Sequence, residues 1–174
     1  MILTSTKIKD VHVLQTEPRG DHRGHFKRLF CAEELKNAGI DFAIAQINSS
    51  FTKEVGTVRG MHYQLAPKAE GKIVRVLRGK IFDAALDLRE NSLTYGQWFG
   101  IELSSENNTM LYVPKGFAHG FQTMMPDTEV EYFVSEFYSP DFERGVRWND
   151  SKYAVNWPIS EAILSEKDSQ WPFH

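Results

Sequence analysis

The chain has 174 residues, of which 41% are hydrophobic, and this length suffices for one well-packed core but divides poorly into two. Its net charge of −3 and isoelectric point near 6.1 remove any global electrostatic reason to bind nucleic acid or an anionic membrane. We therefore expect a single domain, residues 1–174, with a small molecule as its partner.

The cysteine content and the hydropathy pattern bear on where the protein works. Cys31 is the single cysteine, so no intrachain disulfide can form. No apolar run approaches twenty residues, and the N-terminus lacks the apolar stretch of a secretion signal. These features favour a cytoplasmic location.

The first clear element in chain order is a helix, predicted for "AEELKNAG" (32–39) and ended by Gly39 as its C′ residue. Beyond it, apolar and polar residues alternate in short runs, as they do in strands. The predicted strands are "KIVRVLRG", "KIFDAALDLR", "WFGIEL", "NTMLYVP", "GFAHGFQTM" and "EVEYFVSEFY". Strands this frequent, with so little helix between them, predict an antiparallel sandwich or barrel. A last helical turn is predicted within "SEAILSEKD" (160–168).

One histidine in the stretch "GTVRGMHYQ" raises the question of a metal site. A metal-binding cupin barrel has the pattern G-x5-H-x-H and, on a later strand, P-x-G-x-x-H. Here Gly56 and His62 have the expected spacing and "PKGFAH" supplies His119, but Gln64 replaces the second histidine. Two histidines and a glutamine make a poor transition-metal site. The pattern therefore predicts the barrel without the metal.

Six ordered motifs resemble those of the dTDP-4-dehydrorhamnose 3,5-epimerase family. They span nearly the whole chain: "DHRGHF" (21–26), "GTVRGMHYQ" (56–64), "GKIVRVLRGKIFDAALDLR" (71–89), "YVPKGFAHGF" (112–121), "VEYFVSEFYSPDFERGVRWND" (130–150) and "LSEKD" (164–168). The resemblance implies an all-β double-stranded β-helix, or cupin-like jelly roll, to which the sequence adds a short N-terminal helix and a C-terminal helical tail. It also implies a homodimer, a substrate pocket inside the barrel, and no metal or organic cofactor.

The activity implied by the resemblance is inversion of C3 and C5 in a 4-keto-6-deoxyhexose carried by a nucleotide diphosphate. The type reaction converts dTDP-4-dehydro-6-deoxy-D-glucose to dTDP-4-dehydro-L-rhamnose, a precursor of surface polysaccharide. Inverting a carbon next to a ketone requires removal of its proton, stabilisation of the enolate, and return of a proton from the opposite face. A base, an oxyanion stabiliser and an acid are therefore needed.

The resemblance assigns these three roles to four residues. His62 is the expected base, because an imidazole accepts a proton near neutral pH, and Asp168 is expected to orient it. Tyr132 is the expected acid, and Lys72 is expected to face the ketone oxygen. Taken alone, each would more often be a packed or solvated residue of a strand or tail, and the matched motifs favour the catalytic interpretation.

Two expectations concern the neighbours of these residues. A buried lysine is costly unless it is paired, so a carboxylate should lie near Lys72, and Asp83 is the candidate. Tyr138 should share the strand face of Tyr132 if that strand stays regular, and should line the pocket.

Further residues match the family's substrate-binding positions, where a nucleotide diphosphate calls for cations and polar contacts. These candidates are Arg23, Phe26, Arg28, Gln46, Asn48, Arg59, His119, Tyr138, Glu143 and Lys167. In the family, the residues matching Arg23 and Phe26 often cross to the partner subunit. His119 has additional support, because Phe117 and Phe121 share its strand face, where an unpartnered polar ring would be costly.

The chain departs from the family pattern at two positions. Arg28 stands where the family commonly has glutamate, and Glu70 stands where it commonly has glutamine. A guanidinium in place of a carboxylate changes an acceptor into a donor. The identity of the nucleotide and of the sugar is therefore less firmly indicated than the reaction type, and we predict that Arg28 alters nucleotide preference.

Several other functions stay open on the sequence. A related enzyme could epimerise one carbon only, or move the keto group between C3 and C4, with the same histidine base. From other classes, the chain could be a non-catalytic sugar-binding jelly roll or a metal-dependent cupin. A sugar-binding jelly roll would need no acid and base that face each other. Gln64 argues against the metal-dependent cupin.

Overall fold

The computed structural model describes residues 1–174, which form thirteen strands, two short α-helices and one 3₁₀ turn. In chain order the elements are β1 (Ile2–Ser5), β2 (His12–Gln15), β3 (Arg19–Asp21), β4 (Gly24–Phe26), α1 (Ala32–Asn37), β5 (Gln46–Thr52), β6 (Val58–Gln64), β7 (Lys72–Arg78), β8 (Lys80–Asp87), β9 (Trp98–Ser104), β10 (Thr109–Val113), β11 (Phe117–Thr123), β12 (Thr128–Val134), the 3₁₀ turn (Pro140–Phe142), β13 (Glu143–Gly145) and α2 (Glu166–Ser169). Neither helix has the length or apolarity needed to span a membrane.

The strands form two antiparallel sheets and a separate hairpin. One sheet has six strands in the order β1-β2-β10-β7-β12-β5, and the other has five in the order β13-β6-β11-β8-β9. Strands β3 and β4 pair only with each other and are exposed. Most sheet neighbours are distant in sequence, as the crossing connections of a jelly roll require. The predicted double-stranded β-helix is confirmed.

The main core lies between the two sheets. From the six-stranded sheet, Val74, Val76 and Val130 are buried against Ile81 and Phe121 of the five-stranded sheet. Full burial of one such side chain contributes roughly 1.5–3 kcal/mol. This layer therefore provides much of the driving force for closing the barrel.

The outer faces of both sheets are also partly covered, so β7 is apolar on both sides. Ile73 of β7 packs outward with Leu35 of α1 and with Phe42. On the other sheet, Leu86 of β8 packs with Trp157, from the long C-terminal segment. That segment therefore stays close to the five-stranded sheet and brings α2 against β6.

Both predicted helical segments are confirmed. Helix α1 ends at Asn37, and Gly39 follows with φ of 81°, the left-handed conformation expected of a C′ glycine. Helix α2 follows Ser165, whose Oγ accepts a hydrogen bond from the backbone N–H of Asp168 at 3.1 Å. This N-cap fixes the turn that carries Asp168.

The prediction of one strand over "EVEYFVSEFY" is wrong in its second half. Strand β12 ends at Val134, and the next residue, Ser135, bonds twice to Gly71. The N–H of Ser135 donates to the carbonyl of Gly71 at 3.0 Å, and its Oγ accepts from the N–H of Gly71 at 2.8 Å. Tyr138 therefore does not share a strand face with Tyr132.

A buried carboxylate fixes the end of β8 to the loop that follows it. Asp87 is fully buried and accepts hydrogen bonds from the side chains of Arg89, Ser92 and Thr94, at 2.6 to 2.9 Å. Burial by itself would raise the pKa of Asp87, but these hydrogen bonds outweigh it and lower the pKa to about 2. The ionised carboxylate therefore stabilises the native state.

We predict that Asp87→Asn removes a pH-dependent part of the stability. The depressed pKa means that this contribution is present above about pH 4, the ordinary range of aspartate, and is lost as the pH falls toward 2. It amounts to about 2 kcal/mol in the free energy of unfolding. Denaturant unfolding between pH 2 and 7 measures it.

The matched control is Asp127→Asn, at an exposed turn position with φ of 50°, which asparagine tolerates. The difference in stability between wild type and Asp87→Asn should shrink on acidification, whereas Asp127→Asn should track wild type. A difference that stays constant from pH 7 to 2 would show that the Asp87 charge contributes nothing.

Candidate active site

Two adjoining cavities lie between the sheets, with volumes of about 340 and 150 Å³. They share three lining residues, His62, Lys72 and Tyr132. The larger is also lined by Gln46, Asn48, Tyr63, Gln64, Glu70, Val134, Tyr138 and Glu143, and the smaller by Ser50, Arg59, His119, Phe121 and Asp168. The structure thus brings all four predicted catalytic residues into one site.

His62 of β6 and Asp168 of α2 form the shortest hydrogen bond of the site, with 2.5 Å between Nε2 and Oδ1. Burial by itself would raise the pKa of Asp168, but hydrogen bonds from His62 and Trp171 help to outweigh it, so the pKa is lowered. The carboxylate is therefore ionised at neutral pH and accepts the Nε2–H of the imidazole. This tautomer leaves the lone pair of Nδ1 free to accept a proton.

Tyr132 approaches the same cavities from the opposite side. It lies on β12 of the six-stranded sheet, whereas His62 lies on β6 of the five-stranded sheet. Burial raises the pKa of Tyr132, and the nearby Arg59 only partly opposes this. The phenol therefore keeps its proton at neutral pH, as an acid must before it donates.

The expected pairing of Lys72 with Asp83 is wrong. Lys72 Nζ lies 3.0 Å from Glu70 Oε1, and both side chains are only 12% exposed. Asp83 is on β8 of the other sheet, where its Oδ1 accepts from His119 Nε2 at 2.8 Å. Lys72 does have a carboxylate partner, but that partner is Glu70, two residues earlier, in the loop that precedes β7.

His119 and Asp83 form a second histidine–carboxylate pair in the smaller cavity. Both side chains are buried, and Asp83 Oδ2 has no hydrogen-bond partner in the structure. His119 lies cross-strand from His62. The expectation that a polar ring beside Phe117 and Phe121 needs a partner is confirmed.

Gln64 stands where a metal-binding cupin has its second histidine. Its side chain links β6 to Lys68 and to the 137–139 segment. Its amide nitrogen donates to the carbonyls of Lys68 and Phe137 at 2.9 and 3.2 Å, and its oxygen accepts from the N–H of Ser139 at 2.6 Å. The structure has no cluster of three or more histidine, cysteine, aspartate or glutamate residues placed to hold a metal ion. Gln64 therefore shapes the wall of the cavity through the 137–139 segment.

Glu143 contacts two other predicted binding residues, Tyr138 and Lys167. It accepts from the hydroxyl of Tyr138 at 2.8 Å and pairs with Lys167 Nζ at 2.6 Å. Burial would raise the pKa of Glu143, but these contacts outweigh it and lower the pKa. Tyr138 and Glu143 line the cavity, whereas Lys167 stands outside it and holds Glu143 in place.

The predicted residues Gln46 and Asn48 point into the cavity from β5, and Arg59 enters the smaller cavity from β6. Arg59 is braced by Thr52 Oγ1 at 2.9 Å and the carbonyl of Phe51 at 3.2 Å. Its guanidinium is therefore held at one end of the site.

Besides Lys167, three predicted binding residues line neither cavity. Arg23 pairs with Asp21 in the exposed β3–β4 hairpin, and Phe26 at its end is 67% exposed. Arg28 pairs with Glu34 of α1 at 2.8 Å. These three side chains therefore lie away from the cavities lined by His62 and Tyr132.

Sequence reasoning missed several residues in or beside the site, of which three bear on its polar contacts. Ser50, whose buried Oγ has no partner, continues the inward series of Gln46 and Asn48, so strand alternation could have found it. Glu70 was noted only as a departure from the family. Trp171 left no signal, because its contact with Asp168 arises from the folding of the C-terminal tail.

Comparisons with known proteins agree with this geometry. A profile of the family described as dTDP-4-dehydrorhamnose 3,5-epimerase matches residues 5–174. The dTDP-4-dehydrorhamnose 3,5-epimerase of Sinorhizobium fredii is 43% identical over 173 residues, which are 99% of this chain and 89% of the relative.

Solved structures show the same fold. The dTDP-4-dehydrorhamnose 3,5-epimerase of Bacillus anthracis, solved with TDP and PPi bound, superposes with a TM-score of 0.96 at 42% identity and covers 99% of each chain. A dTDP-6-deoxy-D-glucose-3,5-epimerase of Legionella pneumophila, in complex with dTDP-4-keto-L-rhamnose, has a TM-score of 0.93 at 35% identity, over 99% of this chain and 92% of the other. On these matches and on the geometry of its site, the chain belongs to the dTDP-4-dehydrorhamnose 3,5-epimerase family.

Proposed function

We propose that this protein inverts C3 and C5 of dTDP-4-dehydro-6-deoxy-D-glucose to give dTDP-4-dehydro-L-rhamnose. One observation carries the proposal: a histidine held by a carboxylate on one sheet shares a cavity with a buried tyrosine on the other sheet. A base and an acid that approach from two sides are what inversion at carbon needs. The names of the relatives support the substrate.

In this mechanism His62 Nδ1 takes the proton from the carbon next to the ketone. The electron pair of the broken C–H bond forms the enolate double bond, and the negative charge moves to the C4 oxygen, where the Lys72 ammonium stabilises it. Asp168 stabilises the imidazolium that results. Tyr132 then donates its proton from the other face, and the enolate electrons form the new C–H bond and restore the ketone.

Solvent resets the two groups, since the His62 imidazolium releases its proton to water and the Tyr132 phenolate regains one. The cycle then repeats at the second carbon. No step uses a metal or organic cofactor, and the Nε2 atoms of His62 and His119, which a cupin metal site would use, are both bound by carboxylates. We therefore propose that the enzyme works without either.

The diphosphate is assigned to the basic end of the site. Arg59 and His119 line the smaller cavity, and Arg59 presents a guanidinium that matches phosphate oxygens. Gln46 and Asn48 offer amide contacts along the larger cavity. The proposed effect of Arg28 on nucleotide preference rests on its reaching the nucleotide of a neighbouring subunit, because Glu34 holds it outside its own cavity.

We further propose a homodimer in which the β3–β4 hairpin enters the partner's site. Arg23 and Phe26 extend into solvent from this hairpin, away from their own cavity. Ile47 and Phe51, on the outer face of β5, are also about half exposed, which favours cover by a second copy. We also propose that the enzyme works in the cytoplasm, which the single cysteine favours.

The catalytic roles predict different effects of two substitutions on proton exchange. In deuterium oxide, proton NMR of the substrate should show loss of the C3 and C5 proton signals with wild type. His62→Ala should abolish this exchange, whereas Tyr132→Phe should keep measurable exchange but lose epimerised product. Loss of a positioned acid or base typically costs ~10²–10⁴ in rate.

Matched controls are His12→Ala and Tyr112→Phe, which lie outside both cavities and should behave like wild type. Near wild-type exchange by His62→Ala would require another base. Exchange and inversion at one carbon only would replace the proposed activity with that of a single-carbon epimerase, and product with a ketone at C3 would identify a ketoisomerase.

The dimer proposal predicts complementation between two inactive variants. One carries Arg23→Ala with Phe26→Ala, and the other carries His62→Ala. If the hairpin serves the partner's site, each mixed dimer contains one intact site, so random pairing restores about a quarter of the sites. Activity after co-expression measures this, and no recovery in proven mixed dimers would place the hairpin in its own subunit's site.

A further inference from the structure

A tryptophan outside the predicted site contacts the carboxylate that holds the base. The indole Nε1–H of Trp171 donates to Oδ1 of Asp168 at 3.2 Å. This is the same oxygen that accepts from Nε2 of His62. The indole ring also stands edge-on to the imidazole, with ring centroids 5.9 Å apart. Trp171 therefore touches both members of the pair.

The backbone of β13 leaves room for this indole. Gly145 is the cross-strand neighbour of His62, and a Cβ on Gly145 would lie only 2.2 Å from Trp171 Cδ2. Any side chain at Gly145 would push the ring away. The close approach therefore depends on glycine at the position opposite the base.

The backbone of Trp171 is held independently of its ring. Its carbonyl accepts from Nε of Arg147 at 2.7 Å, and the carbonyl of Pro172 accepts from the N–H of Arg147 at 3.0 Å. These bonds fasten the tail just after α2. The indole is thus fixed from two sides, by its own backbone and by the space over Gly145.

We propose that Trp171 is a positioning residue for the catalytic pair, whose indole N–H sets the orientation of the Asp168 carboxylate and through it that of His62. A carboxylate on a four-residue helix with one donor could rotate about its side-chain torsions. A second donor on the same oxygen removes that freedom and keeps Nδ1 of His62 toward the cavity. Precise placement of a base contributes strongly to its rate.

This inference rests on the proposed function, because it concerns the base of that reaction. It predicts that kcat falls while KM changes little, since Trp171 lines neither cavity. Trp171→Phe keeps an aromatic ring and removes the donor. We expect kcat to fall about 10- to 150-fold, the range for one lost hydrogen bond to a charged group.

Two further proteins separate the hydrogen bond from packing. Incorporation of 3-benzothienylalanine at position 171 replaces the N–H by sulfur with nearly the same shape, and should reproduce the loss even if Trp171→Phe folds poorly. The matched control is Trp157→Phe, whose indole donates to the carbonyl of Trp148, outside both cavities. That variant should keep wild-type kcat.

Wild-type kcat in the benzothienylalanine protein would overturn the inference, as would a loss confined to KM. Failure of the proposed function has a different signature, because then wild type itself would not exchange and invert both C3 and C5. Loss of exchange in His62→Ala together with unchanged kcat in the benzothienylalanine protein would leave the function standing and remove only the role of Trp171.

Discussion

The site depends on one hydrogen bond between residues 106 positions apart, from His62 Nε2 to Asp168 Oδ1. Closing so long a loop costs conformational entropy, which must be offset by packing elsewhere. The offset comes from the C-terminal segment, where Tyr153 and Trp157 are buried against the five-stranded sheet. The His62–Asp168 pair is therefore a product of the whole fold, and could not form from β6 and α2 alone.

The barrel also explains why the groups of the site have different charges within a small volume. On one side, His62 and Asp168 can form an ion pair when His62 takes up a proton. On the other side, burial keeps Tyr132 neutral. Glu70 supplies the charge opposite to that of Lys72. The largely buried lysine therefore does not place an unpaired charge in the protein interior. Two sheets that face each other are a direct way to separate a base from an acid.

Much of the fold beyond residue 39 could be predicted, because the alternation of apolar and polar residues in strands and the residue types in turns are local signals. The pairing of Lys72 could not, since strand alternation does not reveal that the loop before β7 turns Glu70 toward the lysine. Alternation predicts Tyr138 on the strand of Tyr132, since no residue type within the run signals that β12 ends at Val134. Asp168 was reached only through the family resemblance, and Trp171 not at all. Long-range contacts of the tail leave no periodic pattern.

The most direct test of the account is the rate at which Asp168→Asn exchanges the C5 proton of the substrate in deuterium oxide. The substitution keeps the size of the side chain and removes the charge that stabilises the imidazolium. We expect exchange to slow ~10²–10⁴-fold in a variant that still folds, with little change in KM. An exchange rate within a few-fold of the wild-type rate would contradict the assignment of His62 as the base and of Asp168 as the residue that stabilises its protonated form.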